Sequence, residues 1–169
     1  MSEKSDRDPY TTQVERASER ELVLRRVFRA PPALVFDAMT KPEYMKRWWA
    51  PRSLGVTLFE CTVDLRVGGG YRYVFGKEGQ PQMAFTGVYK EVTPGKRVVY
   101  TQIFEPMREA GEGLITATYE PHEGGHTLLV QRELFPSKQV LDGTIASGME
   151  KGMRETLDQL AELVAAEAR

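Results

Sequence analysis

Six segments in succession between residues 56 and 135 carry alternating or β-rich side chains, and one amphipathic helical segment follows them. This order restricts the chain to few folds. Phe59, Cys61, Val63 and Leu65 share one face of the first segment, and Tyr71, Tyr73 and Phe75 share one face of the second, because side chains alternate at period two along a strand. Further β-rich runs occupy about 82–92, 96–105, 113–120 and 126–135, separated by turn signals at Thr93-Pro94-Gly95, 106–111 and 121–125. Short connections make neighbouring strands antiparallel. Between the first two, Gly68-Gly69-Gly70 provides three positions free to take positive φ, so the chain reverses there without strain.

Upstream, Leu22, Leu24, Val27 and Phe28 mark one more strand over about 21–30, with a change of phase near Arg25-Arg26, which brings the expected sheet to seven. Pro31-Pro32 ends it and suits the first turn of a helix carrying Val35, Phe36 and Met39. A second short helix carries Tyr44, Met45, Trp48 and Trp49 and stops at Pro51. Downstream, Met149, Met153, Leu157, Leu160 and Val164 recur at three- and four-residue steps. If continuous over residues 142–166, that helix is on the order of 37 Å long and crosses a whole sheet. The expected class is therefore α+β: a curved seven-stranded antiparallel sheet, two short helices after strand 1, and a long C-terminal helix over the concave face. Residues 1–18 are charged and poor in apolar groups and are expected to form a flexible tail; residues 19–169 are expected to form one domain.

Charge and cysteine content exclude several functions. With 23 Lys and Arg against 24 Asp and Glu, the net charge of −1 offers no field for a polyanion, so nucleic acid is not expected as a partner. The one cysteine rules out an internal disulfide and a multi-cysteine zinc site. No apolar run approaches the roughly 18 residues of a membrane span, and the polar start lacks the apolar region of a secretion signal. No membrane insertion and a cytoplasmic location are expected.

Five stretches taken together carry a family resemblance: Arg29-Ala30-Pro31 with Val35-Phe36; Trp48-Trp49-Ala50-Pro51; Asp64-Leu65-Arg66-Val67-Gly68-Gly69-Gly70-Tyr71; Thr86-Gly87-Val88-Tyr89; and Ser147-Gly148-Met149-Glu150-Lys151-Gly152-Met153. In this order, over about residues 21–164, they resemble the START-related (SRPBCC) superfamily of helix-grip proteins. Within it the chain resembles the branch that includes the C-terminal domain of the activator of the heat-shock protein 90 ATPase. The resemblance implies a hydrophobic cavity between helix and sheet more firmly than it implies catalysis, since the superfamily holds carriers as well as cyclases and other enzymes.

The candidate cavity is assembled from inward strand positions and the helix. Phe59, Cys61, Tyr71, Tyr73 and Phe75 are expected on the first two strands, and Phe85 and Tyr100 on the next two, with Tyr89 and Tyr119 as further aromatics. Trp49, Met149 and Met153 are expected to close it from the helical side. For each of these side chains taken singly, ordinary core packing is the first expectation. Adjacent Trp48 and Trp49 point about 100° apart on a helix, so one is expected inside and the other at a cavity mouth. Gly148 and Gly152, four apart, suggest close approach of the helix to its neighbours or clearance for a ligand.

Ionisable groups form no recognisable catalytic set. His122 and His126 flank a turn; Glu60 and Asp64 are expected to face outward with Leu58 and Thr62; Arg66 pairs most simply with Asp64. Cys61 is expected to be an inert buried thiol. Arg132 and Glu133 alternate, so one of them faces the sheet interior and is a candidate ligand anchor. Gly68-Gly69-Gly70 lacks the following helix and Lys-Ser/Thr of a phosphate loop. No metal, cofactor, catalytic residue or covalent chemistry is expected. The leading expectation is binding of a small hydrophobic or aromatic molecule. A cyclase-like or hydrolase-like enzyme requires an inward ionisable group with a shifted pKa opposite the aromatic wall. A co-chaperone-like protein-binding module requires a sealed core and an exposed apolar patch around Trp48 and Trp49. A homodimer or protein partner remains open.

Overall fold

Strands β1 (Gln13–Arg16), β2 (Glu21–Phe28), β3 (Val56–Val63), β4 (Gly70–Lys77), β5 (Met83–Thr93), β6 (Arg97–Phe104), β7 (Gly113–His122) and β8 (His126–Leu134) form one antiparallel sheet in the order β1-β2-β8-β7-β6-β5-β4-β3. The computed structural model describes residues 8–169. Helices α1 (Pro32–Thr40) and α2 (Pro42–Trp48) lie between β2 and β3, each with proline in its first turn, and α3 (Lys138–Ala146) and α4 (Met149–Glu167) follow β8. The α+β class and the helical cover of an antiparallel sheet stand as expected.

The sheet has eight strands, not seven. The additional strand β1 lies within the segment whose composition suggested a tail, and it pairs with β2 from Gln13↔Arg25 to Arg16↔Leu22. Four residues with Val14 as their sole large apolar group give too short a period-two signal to read. Polar contacts anchor this segment. Arg26, buried on β2, donates to Thr12 Oγ1 at 3.2 Å and to Asp158 of α4 at 2.5 Å, while Arg154 of α4 donates to the Thr12 carbonyl. Tyr10 bonds His126 Nδ1 at 2.7 Å, and the Arg29 guanidinium lies 3.8 Å from the Tyr10 ring centroid. The rest of the expected tail, residues 1–7, lies outside the described residues.

The C-terminal helix is broken rather than continuous. α3 ends where Ser147 N–H bonds Gly143 and Gly148 N–H bonds Ile145, and Gly148 turns the chain at φ +79° before α4 begins. That conformation favours glycine over any residue with a Cβ. Gly148 is therefore a hinge between helices, not a point of close approach. Gly152 does face a neighbour: a Cβ there would sit 3.8 Å from Leu54 and Pro51 in the loop after α2. With 19 residues α4 is about 28 Å long. It packs mainly on α1, α2, α3 and β2, burying Leu157, Leu160, Leu163 and Val164.

The glycine reversal is real but uses its three residues differently. Only Gly68 takes positive φ, at +85°. Gly69 is required by space, since a Cβ there would stand 2.1 Å from the Asp64 carbonyl oxygen. Gly68 N–H bonds the Tyr89 carbonyl at 2.9 Å and Tyr89 N–H bonds Gly69 at 2.9 Å, which docks the turn on β5.

Candidate functional site: the concave face of the sheet

Residues directly opposite in an antiparallel pair point to the same face, so pairing defines the lining of the concave side. One row runs from Leu22 to Glu133, Ile115, Tyr100 and Tyr89 across β2, β8, β7, β6 and β5. A second joins Cys61, Tyr73 and Phe85 across β3, β4 and β5. The face is aromatic at β4–β6 and carries a carboxylate at β8.

Glu133 thus points inward, between the buried Leu22 and Ile115, and Arg132 points outward to Glu21 at 3.3 Å. Burial pushes the Glu133 carboxyl up to about 7, and a hydrogen bond from Gln102 partly opposes that rise. Gln102 Nε2 donates to Glu133 Oε1 at 3.1 Å. Among the described residues no cation lies within ion-pair distance of it. Alternation from the buried Leu129 to the buried Phe135 passes through Glu133, and that parity is the signal that settles which of the two alternating residues faces in.

The aromatic wall is continuous. Phe75 stacks on Phe85 with centroids 5.3 Å apart, and Tyr71 lies 4.8 Å from Tyr73 and 5.4 Å from Tyr100. Tyr71 donates to the Thr101 carbonyl at 2.6 Å by crossing Gly87, where a Cβ would stand 1.9 Å from that same oxygen and 2.7 Å from the Tyr71 ring. Gly87 therefore fixes Tyr71. Burial raises the phenols of Tyr71, Tyr73, Tyr100 and Tyr119, and pushes Tyr89 to about 12, so all five remain protonated near neutrality.

Trp48 is buried and donates Nε1–H to the Ala38 carbonyl at 2.8 Å. Trp49 is half-buried against Tyr73, Phe75 and Phe85, at 5.7, 5.0 and 6.2 Å. One tryptophan is inside and the other closes the aromatic wall. Gln159 of α4 holds their loop: its Nε2 donates to the carbonyls of Trp48 and Ala50 at 2.8 and 2.9 Å, and its Oε1 accepts from Arg52 N–H at 3.0 Å. Glu155 adds a bond from Ser53 N–H at 2.7 Å.

Two expected lining residues lie elsewhere. Register shifts between Leu58 and Glu60, so Leu58 opposes Phe75 on the concave face and the bulged Phe59 leaves the row. Leu58, expected outward, is buried in its place. Met149 packs with Leu22, Phe135 and Leu141 beneath α3 instead of joining the aromatic wall. The other eight residues do line the concave side: Trp49, Cys61, Tyr71, Tyr73, Phe75, Phe85, Tyr100 and Met153 belong to or pack on one apolar cluster. Cys61 is buried beside Met45 Sδ at 3.7 Å, and burial lifts its thiol to about 11, away from nucleophilic use.

Met153 reaches over Glu133. With Val14, Leu22, Leu24 and Gln131 they enclose a space of about 10 Å³, enough for one water or a group of that size. A shallower groove of about 390 Å³ lies on the opposite face, where Arg72 pairs bidentately with Glu105 at 2.8 and 2.9 Å beside Met83 and Pro106. Among the described residues no group of three or more His, Cys, Asp or Glu is placed to hold a metal ion, and no helix is long and apolar enough to cross a membrane.

A curved antiparallel sheet with two short helices after its first long strand and a terminal helix on its concave side defines the helix-grip class. The family described as Activator of Hsp90 ATPase homolog 1-like protein matches residues 29–165, and the chain belongs to that family within the START-related superfamily. No curated protein matches the chain. Among solved structures, a Rhodobacter sphaeroides protein is 28% identical, covering 92% of this chain and 99% of its own, with a TM-score of 0.84. A Chromobacterium violaceum protein is 32% identical over 87% of this chain and 98% of its own, with a TM-score of 0.73. A Nitrosomonas europaea protein is 25% identical over 90% and 98%, with a TM-score of 0.77.

Proposed function

We propose that the chain binds a small hydrophobic or aromatic molecule on the concave face of its sheet, in the cytoplasm, without consuming it. The observation that carries this is Glu133: an inward carboxylate with no partner cation among the described residues, set beside a wall of aromatic side chains. A core built only for stability gains nothing from such a group, because even the partial burial of an unpaired carboxylate seen here costs free energy. The half-buried Trp49, Phe75, Phe85 and Tyr100 leave apolar surface for the body of a guest, and Met153 is a pliable side chain able to yield space. Native mass spectrometry of protein purified without additives, followed by a thermal-stabilisation screen of fatty acids, flavonoids and polyketides, tests it. A guest at 100 times its dissociation constant adds about 2.7 kcal/mol of stability. The proposal fails if no bound mass and no shift are found across the screen.

Acid–base catalysis in the same place is favoured by the position of Glu133 near 7, where a carboxyl both gives and takes protons. Mass analysis of each stabilising compound after prolonged incubation separates the two: an unchanged guest marks a carrier, and a product that Glu133→Gln no longer forms marks an enzyme.

A further inference from the structure

We propose that the guest of the concave face carries a protonated nitrogen which pairs with Glu133 while its planar body lies on the neighbouring aromatic rings. This rests on the ligand-binding proposal and narrows its chemistry. Glu133 Oε1 accepts from Gln102, whereas Oε2 has no bonding partner among the described residues. Gln102 spends a donor on that contact and keeps its own carbonyl oxygen as an acceptor. Tyr100 stands next but one to Glu133 in the same cross-strand row, and the face of an aromatic ring attracts cations. The site is thus rich in acceptors, and among the described residues no cation stands within ion-pair distance of Glu133; the guanidinium groups of Arg26 and Arg154, at the seam of α4 with β1 and β2, are taken up by Thr12, Asp158 and Glu150.

The side chains that meet Glu133 from the neighbouring elements carry no charge. From β2 comes Leu22, from β7 Ile115, from β1 Val14 and from α4 Met153. The ionisable neighbours that act on Tyr71 or Tyr100 together with Glu133 are the phenols themselves and the carboxylate of Glu112. An anionic guest would meet repulsion from Glu133, and a neutral guest would leave its Oε2 without a charged partner. An ammonium head occupies roughly the volume of a water, which is the size of the space between Glu133 and Met153. A nitrogen cation therefore fits by charge and by size.

Matched triplets that share a ring and differ only in charge test this: tryptamine, ethylindole and indoleacetate, and naphthylmethylamine, methylnaphthalene and naphthoate. Dissociation constants are measured at pH 8 by calorimetry or ligand-observed NMR. The amine of each triplet is expected to bind at least about tenfold more tightly than its neutral and acidic counterparts, and Glu133→Gln is expected to abolish that preference. At pH 6, amine binding to the unaltered protein is expected to release protons, seen as a heat that depends on the buffer. Neutral or acidic members binding as well as the amine, or a preference that survives Glu133→Gln, overturns this inference and leaves the ligand-binding proposal intact. Hits from the broad screen that lack a basic nitrogen, with no amine bound, do the same. If neither the triplets nor the broad screen yields binding, both proposals fall.

Discussion

Gln102 and Glu133, on strands separated by β7, meet across the concave face at 3.1 Å, and among the described residues this is the one protein hydrogen bond that the inward carboxylate receives. Its consequence for stability follows from proton linkage. The folded carboxyl titrates at about 7 against an ordinary 4.5, so between those values the folded state holds more protons than the unfolded one. Stability contributed by this group is full below about 4.5 and is lost as pH rises through about 7. The shift corresponds to about 3 kcal/mol.

Replacing Glu133 by glutamine keeps the shape and removes the charge. The variant is expected to be more stable than the parent at pH 8, by up to about 3 kcal/mol, and equal to it near pH 4.5. Urea denaturation of both proteins across pH 4.5–8 measures the difference directly. Parallel curves would show that the carboxylate is not desolvated.

Gln159→Leu removes three bonds to the backbone of residues 48–52 at once. Each buried carbonyl or N–H left alone costs about 1–3 kcal/mol, so a loss of about 3 kcal/mol is expected, with red-shifted tryptophan emission as Trp49 loses its seat. Chemical denaturation and fluorescence read both effects.

Gly87→Ala places a methyl carbon 1.9 Å from the Thr101 carbonyl oxygen and 2.7 Å from the Tyr71 ring, and both of these residues are buried. A loss above about 4 kcal/mol, seen as failure to express in folded form, is expected. Gly143→Ala, in α3 with nothing within 4 Å, is the control and is expected to leave stability unchanged or slightly raised.

Deleting residues 1–18 removes β1 and the Thr12 contacts of Arg26 and Arg154. Arg26 already has a buried Nε without a partner among the described residues, so losing Thr12 worsens an incomplete shell. The truncated chain is expected to be less stable by about 2–4 kcal/mol. Equal melting temperatures would restore the segment to the status of a tail.

The meander, the two short helices and the inward aromatics were legible because each has a strong local signature: period two, a proline in the first helical turn, and glycines at the reversal. Three features were not. β1 is too short for its alternation to stand out and is held by side chains far away in sequence, Arg26 and Arg154. The bulge at Phe59 comes from strand pairing, which no local pattern encodes, and it exchanged Phe59 for Leu58 on the concave face. Gly148 has the sequence setting of a residue within a helix, because the apolar spacing on both sides is helical; only its positive φ separates α3 from α4. At the site, the choice between Arg132 and Glu133 was open until parity with Leu129 and Phe135 fixed the phase of β8.

The same bulge in β3 governs how the domain meets its surroundings. β3 ends the sheet, and a terminal strand of eight regular residues would offer an unbroken ladder of donors and acceptors to any extended chain. The additional residue at Phe59 interrupts that ladder midway and twists the strand. A second chain that tried to extend the sheet there would have to match the irregularity or flatten it. The residue that left the concave face thereby works as a guard on the open border of the sheet, and straightening β3 by deleting Phe59 would expose that border to aggregation.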